Sequence, residues 1–199
     1  MPEKTSTIQE EATIESLTES IAVDMQSVSI YWELYTDLCK STIEYRDEFN
    51  CTPTFWTLTI QGLKETSLFR LCRLYDTHKR GHSLKNWLTA LNESNPILSG
   101  MSAKQKKELM DDIELVSSEN DDVKRLVRFR NNAVAHQSVK AAINPEIAEA
   151  HCSIPTKVID CLIMRSKDIV NRYARLISSE SYSVKMPGNK DFLYVLKSV

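Results

Sequence analysis

Apolar residues recur at steps of three and four along most of the chain, which is the spacing that lines one face of an α-helix. The pattern predicts a first helix that follows residue 13 and reaches the neighbourhood of Tyr45. Thr52 and Pro53 then open a long helix, because threonine can cap free amide groups and proline suits the first helical position. Pro155 opens the last long helix. The residues predicted to form the buried side of the second long helix are Trp56, Ile60, Leu63, Ser67, Leu71 and Leu74, widened by Phe55, Leu58, Leu68, Phe69 and Cys72.

Three shorter helices are predicted between these long ones. Ser83 caps the first, and Ser102 opens the second with capping-box spacing to the glutamine three residues later. The third begins at Asn120 and ends before Pro145, because the residue before a proline disfavours the α conformation. Residues 95–100 are expected to be a connection. The short helix after Ser83 is predicted to bury Leu84, Trp87, Leu88 and Leu91.

The two ends of the chain differ from its centre. Residues 1–13 are rich in Glu, Thr and Ser, which predicts a disordered or frayed tail. Residues 181–199 hold a Pro-Gly-Asn turn between two short apolar-polar runs, consistent with a small hairpin or a docked tail. Only 4 glycines and 6 prolines among 199 residues leave few turns for an all-β fold. We therefore expect an all-α, single-domain bundle of about five to six helices over residues 14–180.

Net charge and cysteine content limit the partners and the cellular compartment to be expected. A net charge of −2 gives no global attraction to nucleic acid or to an anionic membrane. The 5 cysteines are odd in number and contain no C-x-x-C pair, which favours reduced thiols that fill the core. The polar N-terminus lacks the features of a secretory signal, and no stretch has the length of a membrane span. We expect a cytoplasmic protein with no membrane partner.

The segment RFRNNAVAHQ, residues 128–137, places polar side chains in an otherwise apolar run. At about 100° per residue, Arg130 and His136 point about 120° apart on a straight α-helix, so they are a poor metal pair. Arg128, Asn132 and His136 step by four and can share a face. Arg130 and Asn131 join His136 only if the helix bends, or if a second copy of the chain supplies its own set across an interface.

These residues resemble the R-x(4–6)-H signature of the HEPN superfamily. Five residues separate Arg130 from His136, Asn131 takes the place of the polar residue after the arginine, and Ala135 precedes the histidine. A second stretch, residues 54–91, resembles the AbiU-type, or abortive-infection, branch of that superfamily. There a long helix ends in a Leu-x-Asp-like turn and a Ser-Leu pair opens a short helix, and the matching residues here are Leu74, Asp76, Ser83 and Leu84.

The resemblance implies a HEPN-like helical domain, often a homodimer, that cleaves tRNA or mRNA without a metal or any other cofactor. RNA carries its own nucleophile in the 2′-hydroxyl, so cleavage needs proton transfer and charge neutralisation. His136 would be the general acid or base, since its pKa is ordinarily near neutrality. Arg130 would stabilise the phosphate, and Asn131 would orient the imidazole or the phosphate.

Positive charge is concentrated around this motif. Lys124, Arg125, Arg128 and Asn132 are the expected RNA-binding residues. If the helix that carries them neighbours the last long helix, its cations Arg165, Lys167, Arg172 and Arg175 would complete a basic groove. The alternative is an ordinary solvated face. The carboxylates that would then neutralise it are Asp121, Asp122, Asp160 and Asp168.

Other interpretations remain open at the sequence level. A HEPN-like scaffold can bind RNA, a nucleotide or a protein without catalysis, and the motif residues can form a purely structural cluster. A metal site at His78 and His82, near Asp76 and Cys72, is disfavoured because no second ligand pair has zinc-like spacing. The resemblance also implies a toxin or phage-defence role, with an antitoxin or regulatory partner. Related toxins carry a modifiable tyrosine two residues after the histidine, where this chain has Ser138.

Overall fold

A computed structural model describes residues 3–135, 153–178, 181–183, 188 and 190–198 of the chain. Within these ranges the protein is all-helical, with nine α-helices, one π-helix and no strand, which confirms the predicted fold class. No helix among the described residues has the length and apolar character to cross a bilayer. The helices are α1 (Glu3–Glu44), α2 (Arg46–Cys51), α3 (Pro53–Leu74), α4 (Leu84–Glu93), α5 (Asn95–Gly100), α6 (Ala103–Leu115), α7 (Asp121–Phe129), the π-helix (Arg130–Ala135), α8 (Thr156–Ile177) and α9 (Phe192–Leu196).

The first helix begins earlier than the sequence predicts. α1 starts at Glu3, so residues 3–13 are helical and not a disordered tail, while its end at Glu44 agrees with the expected end near Tyr45. A tail with little to bury can still extend a helix, because each added residue brings one further hydrogen bond once the helix is nucleated. A prediction from composition alone does not account for this cooperative stabilisation of the helix.

The core lies around α1, against which α3, α4 and α8 each pack. α1 contributes Ile21, Met25 and Val28, which are fully buried. Two tryptophans form hydrogen bonds between helices through their ring N–H groups. Trp87 of α4 donates to the Thr18 hydroxyl of α1 over 2.9 Å, and Trp32 of α1 donates to Asp160 of α8 over 2.6 Å. The predicted buried face of α4 is confirmed at Leu84, Trp87, Leu88 and Leu91.

Helix α3 buries one face and exposes the other. Leu68 and Cys72 are buried as predicted. Phe55, Leu58 and Phe69 were wrongly assigned to the core, because they are 58%, 63% and 57% exposed. At 100° per residue they lie on the side opposite Leu71 and Leu74, so no single neighbouring layer can cover both sets. Gly62 lies on the same face as these three side chains and is also exposed.

Two short helices correct the expected connections. Residues 95–100 form α5, which has a proline in its first turn, as helices tolerate. At the other end of the chain, Gly188 adopts a positive φ of 81° and α9 follows it. Leu196 of α9 is buried, so this segment is a docked tail, and no hairpin occurs among the described residues. The residues that receive it, in a second small core, are Leu38, Phe49 and Trp56.

The predicted cap residues lie at the helix starts, but not all of them form a side-chain cap hydrogen bond. Asn120 accepts from the backbone N–H groups of Asp122 and Val123, and Ser102 forms the complete capping box with Gln105. Thr52 occupies the cap position of α3 without any side-chain cap hydrogen bond. Proline at the next position already removes one free N–H group, so α3 needs less from its cap.

Candidate functional site

The polar motif begins where the helix changes type. α7 ends at Phe129, and the π-helix runs from Arg130 to Ala135, packing against α3. The sequence predicted one α-helix from Asn120 to just before Asn144 and Pro145, so the α-helical geometry expected for residues 130–135 is wrong, and the predicted end of the helix lies outside the described residues. Short π-helical segments are rare and often lie at functional sites. The angles expected for a straight α-helix therefore do not apply beyond Arg130, and His136 and Ser138 lie outside the described residues.

Two contacts fix the guanidinium of Arg130. Its Nη1 donates to Asp76 Oδ1 over 2.7 Å, and its Nε donates to Asn131 Oδ1 over 3.2 Å. The Arg130 and Asp76 side chains are each 29% exposed, so the pair is partly shielded yet reachable from solvent. Asn131 thus orients Arg130 through its amide oxygen, which is a contact that the sequence did not anticipate. The structure brings these two predicted catalytic residues together.

Asp76 is held in place by the turn that follows α3. Tyr75, its buried neighbour, donates its hydroxyl to the Leu162 carbonyl over 2.7 Å and so anchors the turn to α8. The His78 N–H donates to Asp76 Oδ1 over 3.2 Å. A side chain at Gly81 would lie 3.1 Å from Asp76 Oδ2, so the small residue leaves room for the carboxylate. The Leu-x-Asp turn therefore positions an acidic partner for Arg130.

Cys72 lies behind this ion pair. Burial raises the pKa of its thiol to about 12, the positive charge of Arg130 opposes that rise, and the charge of Asp76 adds to it. A thiol with this pKa is protonated and unreactive at neutral pH, so Cys72 is a core residue as predicted. The same prediction is wrong for Cys51 and Cys161, which are exposed.

A second acidic residue organises the cations on the neighbouring turn of α3. Asp24 of α1 is buried and accepts a hydrogen bond from Arg73. Arg70 Nη1 lies 3.8 Å from Asp24 Oδ1, and His82 Nδ1 lies 3.5 Å from Asp24 Oδ2. His82 therefore faces Asp24 and not Asp76. Within the described ranges, no group of three or more His, Cys, Asp or Glu side chains could hold a metal ion.

The predicted RNA-binding residues lie on the outer face of α7 and the start of the π-helix. Lys124, Arg125 and Arg128 are exposed, and Lys124 lies 3.8 Å from Glu119 as well as from Asp121. The Asn132 amide donates to the Arg128 carbonyl over 2.8 Å, so it caps the end of α7. These residues border Arg130 along one helical segment.

Two of the four α8 cations expected to line the wider basic groove between α7 and α8 are neutralised. The two helices do pack together. Arg165 donates to Asp122 over 2.9 Å, and Arg172 donates to the buried Asp112 over 2.5 Å. Asp112 also accepts from the Tyr173 hydroxyl over 2.7 Å. For these two arginines, the alternative in which carboxylates neutralise the positive charge describes the contacts better than a basic groove does.

A concave surface beside Arg130 was missed by the sequence analysis. It is a groove of about 920 Å³ along the second half of α3, here called the α3 groove. The sequence shows three cations close to an aromatic residue, namely Lys64, Arg70 and Arg73 near Phe69, but the cations were not singled out and Phe69 was assigned to the core. Six of the residues that line it are Lys64, Leu68, Phe69, Arg70, Arg73 and Phe129.

An all-α bundle whose sequence motif begins with an Arg-Asn pair and contains a histidine is characteristic of the HEPN class of proteins. A family model described as AbiU2 matches residues 10–195, which is most of the chain. The chain therefore belongs to the AbiU2 family of HEPN proteins. No curated protein and no solved structure matches it.

Proposed function

We propose that this protein is a metal-independent endoribonuclease that acts as a toxin or an abortive-infection effector in phage defence. The observation that carries the proposal is the partly exposed guanidinium of Arg130, fixed by Asp76 and Asn131 at the first residue of a π-helix. An oriented guanidinium can hold two phosphate oxygens at once. That is the electrostatic element that RNA cleavage requires in the absence of a metal.

The reaction follows from the chemistry of the substrate. The 2′-oxygen of RNA attacks the adjacent phosphorus, a base takes its proton, and the 5′-oxygen leaves with a proton from an acid. The products are a 2′,3′-cyclic phosphate and a 5′-hydroxyl. His136 serves as the base or the acid, because an imidazole can gain or lose a proton near neutral pH. Arg130 stabilises the charge on the phosphate as it becomes five-coordinate.

The exposed residues beside Arg130 supply contacts to the RNA backbone. Lys124, Arg125 and Arg128 are placed to approach phosphates, and Asn132 stabilises the segment that presents them. Such contacts position an RNA without reading its sequence. The substrate is therefore tRNA or mRNA held mainly by its backbone on this face.

We infer that the working form is a homodimer in which two motifs face each other. The exposed apolar face in the first half of α3 supports a second copy there, since Phe55 and Leu58 are more than half exposed, and this leaves Phe69 in the second half of the helix uncovered. One turn further on, a side chain at Gly62 would meet nothing within 4 Å, so a second helix has room to approach closely. Two histidines brought together in this way could act as base and acid in one reaction.

Regulation would come from a partner protein. A nuclease that disables its host must be held inactive until needed, so we propose an antitoxin or another regulatory protein as the partner. The position two residues after His136 is Ser138, which lacks the phenol that related toxins use for inactivation. Control by tyrosine modification at that position is therefore not part of the proposal.

The test is cleavage of mixed tRNA and mRNA in EDTA, followed by identification of the new RNA ends. We expect cyclic-phosphate and 5′-hydroxyl ends from the wild type, and loss of cleavage in His136→Ala and in Arg130→Ala. Arg46→Ala is the matched control, because Arg46 is an exposed arginine in α2, next to the opposite end of α3. Equal cleavage by wild type and His136→Ala, or none by wild type at high concentration, would contradict the proposal.

A non-catalytic binding module is the second candidate. The Asp76–Arg130 ion pair favours it, because an arginine held by a carboxylate is also what a structural contact produces. In that case Arg128 and Arg130 substitutions would weaken binding of RNA, a nucleotide or a protein, whereas His136→Ala would change nothing. The enzyme hypothesis makes the opposite prediction for His136, which is loss of turnover with little loss of binding.

A further inference from the structure

The α3 groove, lined by Lys64, Leu68, Phe69, Arg70, Arg73 and Phe129, has the character of a nucleic-acid subsite. Its volume of about 920 Å³ lies at the upper end of the range of ligand pockets, which is about 300–1,000 Å³. Leu68 and Phe129 are buried and form its apolar floor. Phe69 stands 57% exposed at its side, so the ring is available to a ligand.

The groove is continuous with the proposed reaction site. Phe129 is the residue directly before Arg130, and Arg73 lies one turn before Asp76, the partner of Arg130. The π-helix packs against α3 along this boundary. A polymer bound at Arg130 can therefore extend toward the groove.

The charges of the groove favour a polyanion. Lys64, Arg70 and Arg73 are three cations against two carboxylates, Glu65 on the rim and Asp24 beneath them. Asp24 is buried and holds the two arginines in place, so their remaining N–H groups are presented from a fixed position. An exposed aromatic ring beside ordered cations is the combination that proteins use to bind single-stranded nucleic acid by stacking and by phosphate contacts.

We propose that the α3 groove binds the single-stranded RNA that flanks the scissile phosphate, with a base stacked on Phe69 and phosphates at Lys64, Arg70 and Arg73. This inference rests on the proposed ribonuclease function and adds a subsite to it. The groove makes the enzyme select RNA with an unpaired base beside the cleaved bond, since a base inside a duplex is not free to stack on a side chain.

The experiment measures binding of a short labelled single-stranded DNA to the full-length protein over a range of salt concentrations. DNA lacks the 2′-hydroxyl, so it is not cleaved, while its bases and phosphates still fit a stacking subsite. We expect Phe69→Ala to weaken binding about tenfold, within the range reported for loss of base stacking. Lys64→Ala should lower the slope of log affinity against log salt by about 0.7, the value for one phosphate contact on a single strand.

Two variants control for non-specific effects. Tyr194→Ala removes an exposed aromatic side chain from α9, and Lys107→Ala removes an exposed lysine from α6. Neither should change affinity or salt slope. In cleavage assays with RNA, Phe69→Ala should raise KM more than it lowers kcat, because the subsite lies beside the reacting phosphate and not at it. Phe69 is exposed, so its replacement should leave the thermal stability near that of the wild type.

Phe69→Arg separates RNA from a second copy of the chain as the occupant of the groove. A guanidinium plane also stacks on bases, so nucleic-acid binding should persist or tighten in this variant. A protein interface would instead be broken by the buried charge. If Phe69→Arg dissociates a dimer and binding falls with it, the second copy occupies the groove and the inference is overturned.

The inference and the proposed function fail in different ways. If Phe69→Ala and Lys64→Ala bind and cleave as the wild type does, while Arg130→Ala is inactive, the ribonuclease stands and the subsite is wrong. If the wild type neither cleaves RNA nor binds single strands, both are wrong. Weakened binding in Phe69→Ala with retention in Phe69→Arg supports the subsite whether or not the wild type cleaves RNA.

Discussion

Asp76 and Arg130 are 54 positions apart in the sequence, and their contact sets the geometry of the proposed site. We predict that Asp76→Ala lowers kcat about 10- to 100-fold, because a displaced guanidinium no longer meets the phosphate in the right place. Asp76→Asn should lose less, since its amide oxygen can still accept from Arg130. Both variants should remain folded, as a partly exposed ion pair contributes less than about 1 kcal/mol. Steady-state kinetics and thermal unfolding of the two variants test this.

The comparison between the two Asp76 variants distinguishes a positioning role of the carboxylate from a structural or an inhibitory one. If Asp76→Ala keeps the wild-type kcat, the ion pair is structural and Arg130 needs no positioning. If Asp76→Asn is more active than the wild type, the carboxylate competes with the substrate phosphate for Arg130, and its role is inhibitory.

At the residue scale, the sequence predicted the types of side chain better than their partners. Arg130 and Asn131 were identified from a local motif, and the structure places them in contact. Asp76 was recognised as part of a turn and beside a disfavoured metal site, but not as the partner of Arg130, because local spacing contains no information about a partner brought in by tertiary packing. The exposure of Phe69 was missed for a related reason, since its aromatic character alone favours burial.

Helix caps give the clearest test at the scale of elements. Asn120 accepts two backbone N–H groups at the start of α7, whereas the Thr52 side chain makes no cap hydrogen bond at α3. We predict that Asn120→Ala lowers the free energy of unfolding by about 1–2 kcal/mol, the usual cost of losing a cap. Thr52→Ala should change it by less than about 0.5 kcal/mol. Chemical denaturation of both variants measures the difference, and equal losses would contradict it.

Sequence pattern located most elements in the described ranges but could not define how the motif helix continues. The 3.6-residue period and the cap residues identified α3, α4, α6, α7 and α8, because burial of one face and capping are local properties. The change to a π-helix at Arg130, in a segment that also packs against α3, leaves no comparable periodic signal in the sequence. The assignment of both faces of α3 to the core failed because periodicity gives the angle of a face and not the number of neighbours around the helix.

At the scale of the whole molecule, net charge was a poor guide to the proposed binding surface. A chain of net charge −2 gives no global attraction to RNA, yet Lys64, Arg70 and Arg73 line one groove beside Arg130. Elsewhere cations such as Arg165 and Arg172 are paired with carboxylates. The local arrangement of charge decides where a polyanion can bind, and this arrangement exists only after the helices have packed.

The exposed face of α3 leads to a prediction about assembly. Leu58 lies on the proposed dimer interface and is 63% exposed in the single chain, so Leu58→Glu should not unfold the protein. In a dimer, the same substitution would bury a carboxylate without a partner, which costs several kcal/mol and separates the two copies. Sedimentation should therefore show a dimer for the wild type and a monomer for the variant. Met110→Glu is the control, because Met110 is 53% exposed on α6, away from this face.

Cleavage measured on the same samples then distinguishes a structural dimer from a catalytic one. If the second motif supplies a proton-transfer group, Leu58→Glu should lose turnover together with dimerisation, while Met110→Glu keeps both. The residual rate per chain of Leu58→Glu should rise with protein concentration, since mass action restores the dimer. A monomeric variant with the wild-type rate would mean that one copy of Arg130 and His136 is sufficient, so that the second copy contributes nothing to the reaction.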